Sequence, residues 1–353
     1  MKVQIRRLAL VLATLALPMA VHADDREHGR VHDRGHHLPQ AGSFALIGDT
    51  PYGAAREPMF DRVIKDINRN HQVRFVVHTG DIKAGSERCD DALFIHRFEQ
   101  FETFDVPFIL TPGDNEWTDC HRTSNGGYLP TERLARLREI FYPEAGVTTG
   151  GRKARVESQA SMPGHEAYVE NTLWQFAGTV MGTIHVVGSN NDLAPWSQID
   201  PNDSYESPRA DRIAEFEARQ AAALAWINAI FDRATATGAR GVLIAMQANP
   251  NFDLDATDRQ REGFNAVLDL ISTRAIAFGK PVVIAHGDSH YFRVDKPLAA
   301  ATVDAGVQTI ENVTRVENFG SQNVHWVEVS VDPRDENVFS FRQHIVEANR
   351  FAR

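Results

Sequence analysis

The sequence predicts an α/β protein built on parallel strands, and three observations carry that reading. Short apolar runs alternate with amphipathic helical stretches over residues 43–114 and again over 210–288. Every Gly-Asp pair in the chain, four in all, closes one of those runs. Strand, helix and strand in that order imply right-handed crossovers and a parallel sheet.

The elements follow in order. Ser43 to Ile47 is a buried strand ending in Gly48-Asp49,. Phe60, Val63, Ile64 and Ile67 then recur at helical spacing. Val73 to His78 is a second strand, ending in Gly80-Asp81. Leu93, Phe94, Phe98, Phe101 and Phe104 mark the apolar face of the next helix. Pro107 to Leu110 leads into Pro112-Gly113-Asp114. Thr131 to Phe141 reads as helix, and Thr172 to Val180 with Thr183 to Val187 as a hairpin turning at Met181-Gly182. A polar loop, Asn190 to Pro208, precedes a long helix from Ala210 to Thr235. Gly241 to Met246, Arg261 to Ile276 and Pro281 to Ala285 repeat strand, helix and strand, the last ending in Gly287-Asp288. Val324 to Val331 and Val338 to Ile345 alternate like an antiparallel pair,.

The flanks have a different character. Lys2, Arg6 and Arg7 precede an apolar run from Leu8 to Val21, and Val21-His22-Ala23 fits a small-x-small cleavage site. Residues 1–23 therefore read as a secretory signal peptide, too short for a comfortable membrane span. No later segment is apolar for long enough to cross a bilayer, so the mature chain is expected to be soluble, and the signal peptide is expected to send it to the periplasm or beyond. Residues 24–40 are polar and rich in His, Asp and Arg; they read as a flexible tether, whose histidines at 28, 32, 36 and 37 can pick up metal only weakly,. Residues 41–353 read as one domain, with no internal repeat or composition break.

Composition narrows the function. The 353-residue chain carries a net charge of −10, against the basic stripe that nucleic-acid binding needs,. Its two cysteines, Cys89 and Cys120, are expected to pair in an oxidising compartment,. The strand ends lack the D-x-D, G-x-G-x-x-G and G-x-S-x-G patterns of haloacid-dehalogenase phosphatases, dinucleotide enzymes and serine hydrolases,.

The Gly-Asp turns carry the chemistry. In an open α/β sheet the carboxyl ends of the strands face the ligand crevice. Glycine permits the tight turn and aspartate then projects into the crevice. Asp49, Asp81, Asp114 and Asp288 should meet there. Two unit charges 4 Å apart repel by roughly 4 kcal/mol at an effective dielectric near 20. Divalent cations are the simplest compensation, and His290 adds a nitrogen ligand.

On these residues the chain resembles the calcineurin-like metallophosphoesterases. Their pattern is D-x-H, G-D, G-N-H-[DE], a lone His after a strand, and G-H-x-H. The corresponding stretches are Gly48-Asp49-Thr50-Pro51, Gly80-Asp81, Gly113-Asp114-Asn115-Glu116, Met246-Gln247-Ala248-Asn249-Pro250 and Gly287-Asp288-Ser289-His290. The resemblance covers residues 43–291 and implies a four-layer α/β/β/α sandwich with a dinuclear centre. By position Asp81 would bridge two ions, Asp49 and His290 would hold the first, and Asp114, Gln247 and Asp288 the second.

The departures matter as well. Pro51, Asp114, Asn115, Gln247 and Asp288 stand where the family has His, Asn, His, His and His. Oxygen ligands favour Mg²⁺, Mn²⁺ or Ca²⁺ over zinc or iron. The resemblance implies a small phosphorylated substrate, a mono- or diester, attacked in line by a metal-activated hydroxide. Asn115 can donate a hydrogen bond to the phosphate but supplies no proton, and a missing general acid forfeits about 10²–10⁴-fold. His121 and His78 are the candidates to replace it. The competing reading is a catalytically impaired protein on the same fold that binds metal or phosphate. Tyr52, Asn190 and Asn191 are further pocket candidates. The aspartates at 253, 255 and 258 lack the glycine and glutamate of a calcium loop and read as caps,.

Overall fold

A computed structural model describes residues 39–302 and 306–351; the segments expected to be a signal peptide and a tether lie, as far as residue 38, outside the described residues. Among the described residues there are fourteen strands: β1 (Gly42–Ile47), β2 (Val73–His78), β3 (Phe108–Leu110), β4 (Glu157–Ser158), β5 (Thr172–Phe176), β6 (Thr179–Thr183), β7 (Val242–Ala245), β8 (Val282–His286), β9 (Arg293–Asp295), β10 (Ala299–Ala301), β11 (Val307–Thr309), β12 (Val313–Glu317), β13 (Trp326–Val331) and β14 (Phe339–His344). The longer helices are α1 (Glu57–Arg69), α2 (Asp91–Phe101), α3 (Pro130–Phe141), α4 (Ala210–Ala236) and α5 (Asn265–Phe278).

Helix α1 shows how the pattern becomes structure. Pro58 lies in its first turn, where no amide hydrogen is needed, and Glu57 faces the positive end of the dipole,. Phe60, Val63, Ile64 and Ile67 fall on one face and are buried,. Emptying such a site, as in Phe60→Ala, costs about 3–5 kcal/mol.

The strands form a five-stranded sheet ordered β14-β13-β1-β2-β3, a seven-stranded sheet ordered β4-β5-β6-β7-β8-β12-β9 and a separate antiparallel pair, β10-β11. Within them β1, β2 and β3 run parallel, as do β6, β7, β8 and β12. The inner faces meet through Phe44, Leu46, Phe75 and Val77 against Met181, Leu243, Val283 and Ala285. Outside the smaller sheet lie the apolar faces of α1, α2 and α3, and outside the larger one those of α4 and α5. These layers are the expected α/β/β/α sandwich.

Two expectations need correction. The hairpin turns at Ala177-Gly178, both with positive φ (45° and 76°), so Met181-Gly182 lies inside β6. Gly178 accepts that left-handed turn without strain, which Met181 would not. The helix expected from Arg261 begins as a 3₁₀ turn, Arg259–Phe264, capped by Asp258, and becomes α-helical only at Asn265,. The strands β9 to β12 have no counterpart in the sequence reading. They are short and their alternation is weak, yet β12 lies beside β8 and extends the parallel set. Cys89 and Cys120 are disulfide-bonded. No helix among the described residues is long and apolar enough to cross a membrane.

Candidate metal centre

The carboxyl ends of the parallel strands converge. β1 delivers Asp49, β2 Asp81, β3 Asp114, β7 Gln247, β8 Asp288 and His290, and β12 Asn318. Asp81, Asp114 and Asp288 each place a carboxylate oxygen within 4.8 Å of the others. Asp49 adjoins them: its Oδ1 accepts the Asp288 amide hydrogen at 2.9 Å, and its Oδ2 accepts from Asn318 Nδ2 at 2.9 Å. His290 Nε2 stands 3.5 Å from Asp49 Oδ1.

Local backbone strain aims these groups. Asp49, Asp81, Asp288 and His290 all have positive φ (53°, 56°, 78° and 60°), a region that aspartate tolerates better than most residues,. Such strain persists where the surrounding structure over-determines it. The glycine before each Asp does a different job in two of these turns. A Cβ on Gly113 would run into Asp81 Oδ1 and its amide nitrogen, and one on Gly287 into Asp49 Oδ2. Those glycines let the carboxylates lie flat against neighbouring backbone.

The acids disturb one another. Burial, then the charges of Asp114 and Glu116, push the Asp81 carboxyl well above the usual carboxylate range. Burial and Asp288 do the same to Asp49. Asp288 is raised to about 7, by burial first and Asp114 second, although the Asn249 amide and Gln247 oppose the shift. Asp119 is raised to about 8 by burial and Asp114, against the pull of Arg122. His290 is pushed down by burial, which keeps its imidazole neutral and fit to ligate,.

Several residues beyond the sequence-derived set hold the centre in place. Glu116 accepts from the amides of Asp81, Ile82 and Gly113, tying the ends of β2 and β3 together. Lys83 is fully buried and its ammonium faces Glu116, Asp119 and Asp81. Ser189 Oγ lies 2.8 Å from Asp114 Oδ2 and 3.0 Å from Asp119 Oδ1, so its one hydrogen can serve either carboxylate. It belongs to a left-handed turn, Ser189–Asp192, in which every residue has positive φ. Only Glu116 carried a signal in the sequence, as the last residue of the third motif.

The remaining candidates are placed as follows. Gln247 Oε1 accepts the Gly188 amide at 2.6 Å, which turns the amide nitrogen toward Asp288. Asn115 Nδ2 is engaged by Asp81 Oδ2 at 2.8 Å, the Tyr52 oxygen at 3.0 Å and the Lys83 carbonyl at 3.1 Å, so its donors point inward. The charged neighbours of His121 are Arg122, Asp203 and Arg212 rather than the four acids, and burial lowers its pKa to about 4. His78 accepts the Gly80 amide on Nδ1 and meets the Thr50 carbonyl through Nε2 at 2.9 Å. Both nitrogens are thus committed to the backbone. Tyr52 reaches the centre, its hydroxyl donating to Asp81 Oδ2 at 2.9 Å. Asn190 and Asn191 instead bond the backbone at Arg259 and Gly263.

The donor set suits a hard divalent ion: several carboxylate oxygens, one imidazole, and carboxyls that burial and one another's charges push above their usual range,. Among known proteins, the family model described as calcineurin-like phosphoesterase matches residues 42–292. No curated protein matches the chain. Similar solved structures include GAP50, the anchor in the inner membrane complex of Plasmodium (11% identity, TM-score 0.42, covering 87% of this chain and 89% of that one). Another is the 5′-nucleotidase from Candida albicans (11%, 0.46, 89% and 53%), of which this chain spans about half. A third is the phosphopantetheinyl hydrolase from Mycobacterium tuberculosis (13%, 0.45, 88% and 99%).

Proposed function

Because the chain belongs to the calcineurin-like phosphoesterase family, we propose that it is an exported, metal-dependent hydrolase of small phosphate esters. One observation carries the reading: three carboxylates from the carboxyl ends of parallel strands in the two sheets lie within 4.8 Å of one another. Asp81 would be shared between two divalent ions, with Asp49 and His290 on one side and Asp114 and Asp288 on the other. Mg²⁺, Mn²⁺ or Ca²⁺ suits these oxygens. Bound there, the ions would supply a Lewis acid for the phosphoryl oxygens and an acidified water as nucleophile.

The chain's own groups supply orientation. Glu116 and Asn115 fix the Asp81 carboxylate, Asn318 and the Asp288 amide fix Asp49, and Ser189 fixes Asp114. The Asn115 amide is spent on Asp81, so in this reading no side chain at the centre hands a proton to the leaving group. Esters with acidic leaving groups, such as aryl phosphates, are therefore the expected substrates. The same observation favours a second reading, a binding protein with impaired turnover. Export rests on the basic and apolar leader and on a cysteine pair suited to an oxidising compartment,.

The deciding experiment assays purified protein on an aryl phosphate with each of the three ions, beside Asp81→Ala. Turnover that requires metal and disappears in the variant supports the hydrolase. Equal rates in both proteins would leave the binding reading in its place.

A further inference from the structure

Ser189, Asn190, Asn191 and Asp192 all have left-handed φ (51°, 55°, 54° and 67°), although none is glycine. Four such residues in a row are costly for L-amino acids, so the surroundings must hold the turn. The side-chain amides of Asn190 and Asn191 donate to the carbonyls of Arg259 and Gly263 at 2.8 and 2.9 Å. Asp192 closes the turn from the inside. It is fully buried, its Oδ1 accepts from the Trp196 indole at 2.9 Å, and its Oδ2 has no donor among the described residues. The other neighbour of this carboxyl, within hydrogen-bonding reach, is the Glu215 carboxyl of α4.

Arg219 cannot supply the missing hydrogen. A guanidinium has about five, and all are spent: on the two Glu215 oxygens at 2.8 and 3.1 Å, on the Asn191 carbonyl at 3.0 Å and its side-chain oxygen, and on the His185 carbonyl at 3.3 Å,. Two ionised carboxylates in a buried contact only repel, whereas one proton between them makes a charge-assisted hydrogen bond. Both Glu215 oxygens lie on Arg219, so the charge rests on Glu215 and the proton on Asp192. Burial, then the Glu215 charge, push the Asp192 carboxyl well above the usual carboxylate range, against the pull of Arg219 and Trp196. The other charges around the turn are engaged elsewhere: Arg212 with Asp203, His185 with Glu170 and Asp119 with Arg122. On the 3₁₀ turn that packs against it, Arg259 pairs with Glu206, Arg261 bonds the Leu254 carbonyl and Glu262 is exposed.

We propose that Asp192 and Glu215 share one proton as a carboxylic acid–carboxylate pair, and that this pair latches the Ser189–Asp192 turn so that the Ser189 hydroxyl stays at Asp114. Asp192 is then a positioning residue that acts through Ser189, whose Oγ lies 2.8 Å from Asp114 Oδ2. The pair and its latch stand apart from the metal-dependent reading above; only their effect on metal affinity rests on it.

The test compares the full, metal-stripped chain with Asp192→Asn. That change tolerates the left-handed φ, keeps an acceptor for Trp196 and offers Glu215 an amide hydrogen in place of the shared proton. A carboxyl that keeps its proton only in the folded chain loses stability as pH rises above its unfolded value near 4. In urea unfolding from about pH 5 to 7, the wild-type folding equilibrium should fall behind that of Asp192→Asn by about tenfold per pH unit. Glu215→Gln, which can donate to an ionised Asp192, should remove the same pH dependence and decides the matter if Asp192→Asn misfolds. A gap that stays constant over this range would overturn the shared proton. The latch is read at pH 7 in Asp192→Ala. Hydrogen exchange over residues 188–193 should quicken, and Mn²⁺ affinity by equilibrium dialysis should fall by about tenfold or more, the scale of a lost supporting partner. Both should return in Asp192→Asn. Wild-type exchange in Asp192→Ala would overturn the latch, and faster exchange with full Mn²⁺ affinity would overturn the positioning of Asp114. Faster exchange in Asp192→Ala, with no Mn²⁺ bound by any of the proteins including wild type, would sink the metal-dependent reading and leave the latch standing.

Discussion

The backbone amide of Asp288 donates to Oδ1 of Asp49 at 2.9 Å, and this bond joins the ends of β8 and β1 across the two sheets. The other oxygen of Asp49 is taken by Asn318 at 2.9 Å. Asp49 is fully buried, so it is a structural acceptor in addition to any bond it makes to metal.

Asp49→Ala should therefore destabilise the metal-free protein. It strands two buried donors, each costing roughly 1–3 kcal/mol. Asp114→Ala is expected to differ, because it removes a charge that raises the carboxyls of Asp81, Asp119 and Asp288. Urea unfolding with chelator present separates the two cases. Equal losses in both variants would mean that Asp49 contributes nothing beyond its charge.

The raised carboxyls also set a pH dependence. Asp288 and Glu116 titrate at about 7 and Asp119 at about 8 in the folded chain. Unfolded, each should titrate near 4. The folded state thus holds protons that the unfolded state has released. The stability they contribute is complete below about pH 4 and is lost as pH rises through 7 to 8. Metal-stripped protein should melt at progressively lower temperature from about pH 5 to 8.5. Added Mn²⁺ should recover more at the upper end, where it competes with no protons. A melting temperature that rises over this range in chelator would contradict the mutual repulsion of the acids.

The sequence was legible where the signal was local. An apolar run followed by Gly-Asp is complete within a few residues, and all four such pairs lie at strand ends in the structure. What supports the acids was not legible, because it comes from far along the chain. Asn318 reaches Asp49 from β12, 269 residues away, and β12 itself shows little alternation. Ser189 meets Asp114 across 75 residues through a left-handed turn that no propensity announces. Lys83 looks like any surface lysine until the fold buries it among Glu116, Asp119 and Asp81. His121 shows the opposite failure: close in sequence to Asp114, it faces Asp203 and Arg212 instead.

Asn115 offers a test of positioning at a distance from the substrate. Its amide donates to Asp81 at 2.8 Å and to the Tyr52 oxygen at 3.0 Å. Asn115→Ala should loosen the carboxylate proposed to be shared by both ions, and weaken Mn²⁺ binding by about 10–100-fold. If the amide acted on the phosphate instead, the loss would appear in turnover with metal affinity intact. Calorimetric Mn²⁺ titration beside aryl phosphate kinetics distinguishes the two outcomes.

The disulfide bears on the centre through the same residue. Cys89 follows the Asp81 loop and Cys120 lies in the 3₁₀ turn after Asp114; both sulfurs lie near the Asn115 carbonyl, at 3.7 and 3.8 Å. The bridge spans 31 residues, and closing a loop of that length is worth roughly 3–4 kcal/mol in the chain-entropy account,. It also fastens the loop that carries Asp81 to the loop that carries Asp114. A Cys89→Ala, Cys120→Ala double variant should lose stability by about that amount. It should also lose Mn²⁺ affinity at temperatures where it remains folded, because the two carboxylates are no longer held in register. Chemical denaturation gives the first quantity, and Mn²⁺ titration well below the melting point gives the second. Full Mn²⁺ affinity in a destabilised variant would limit the bridge to stability and leave the positioning of the acids to Glu116 and Asn115.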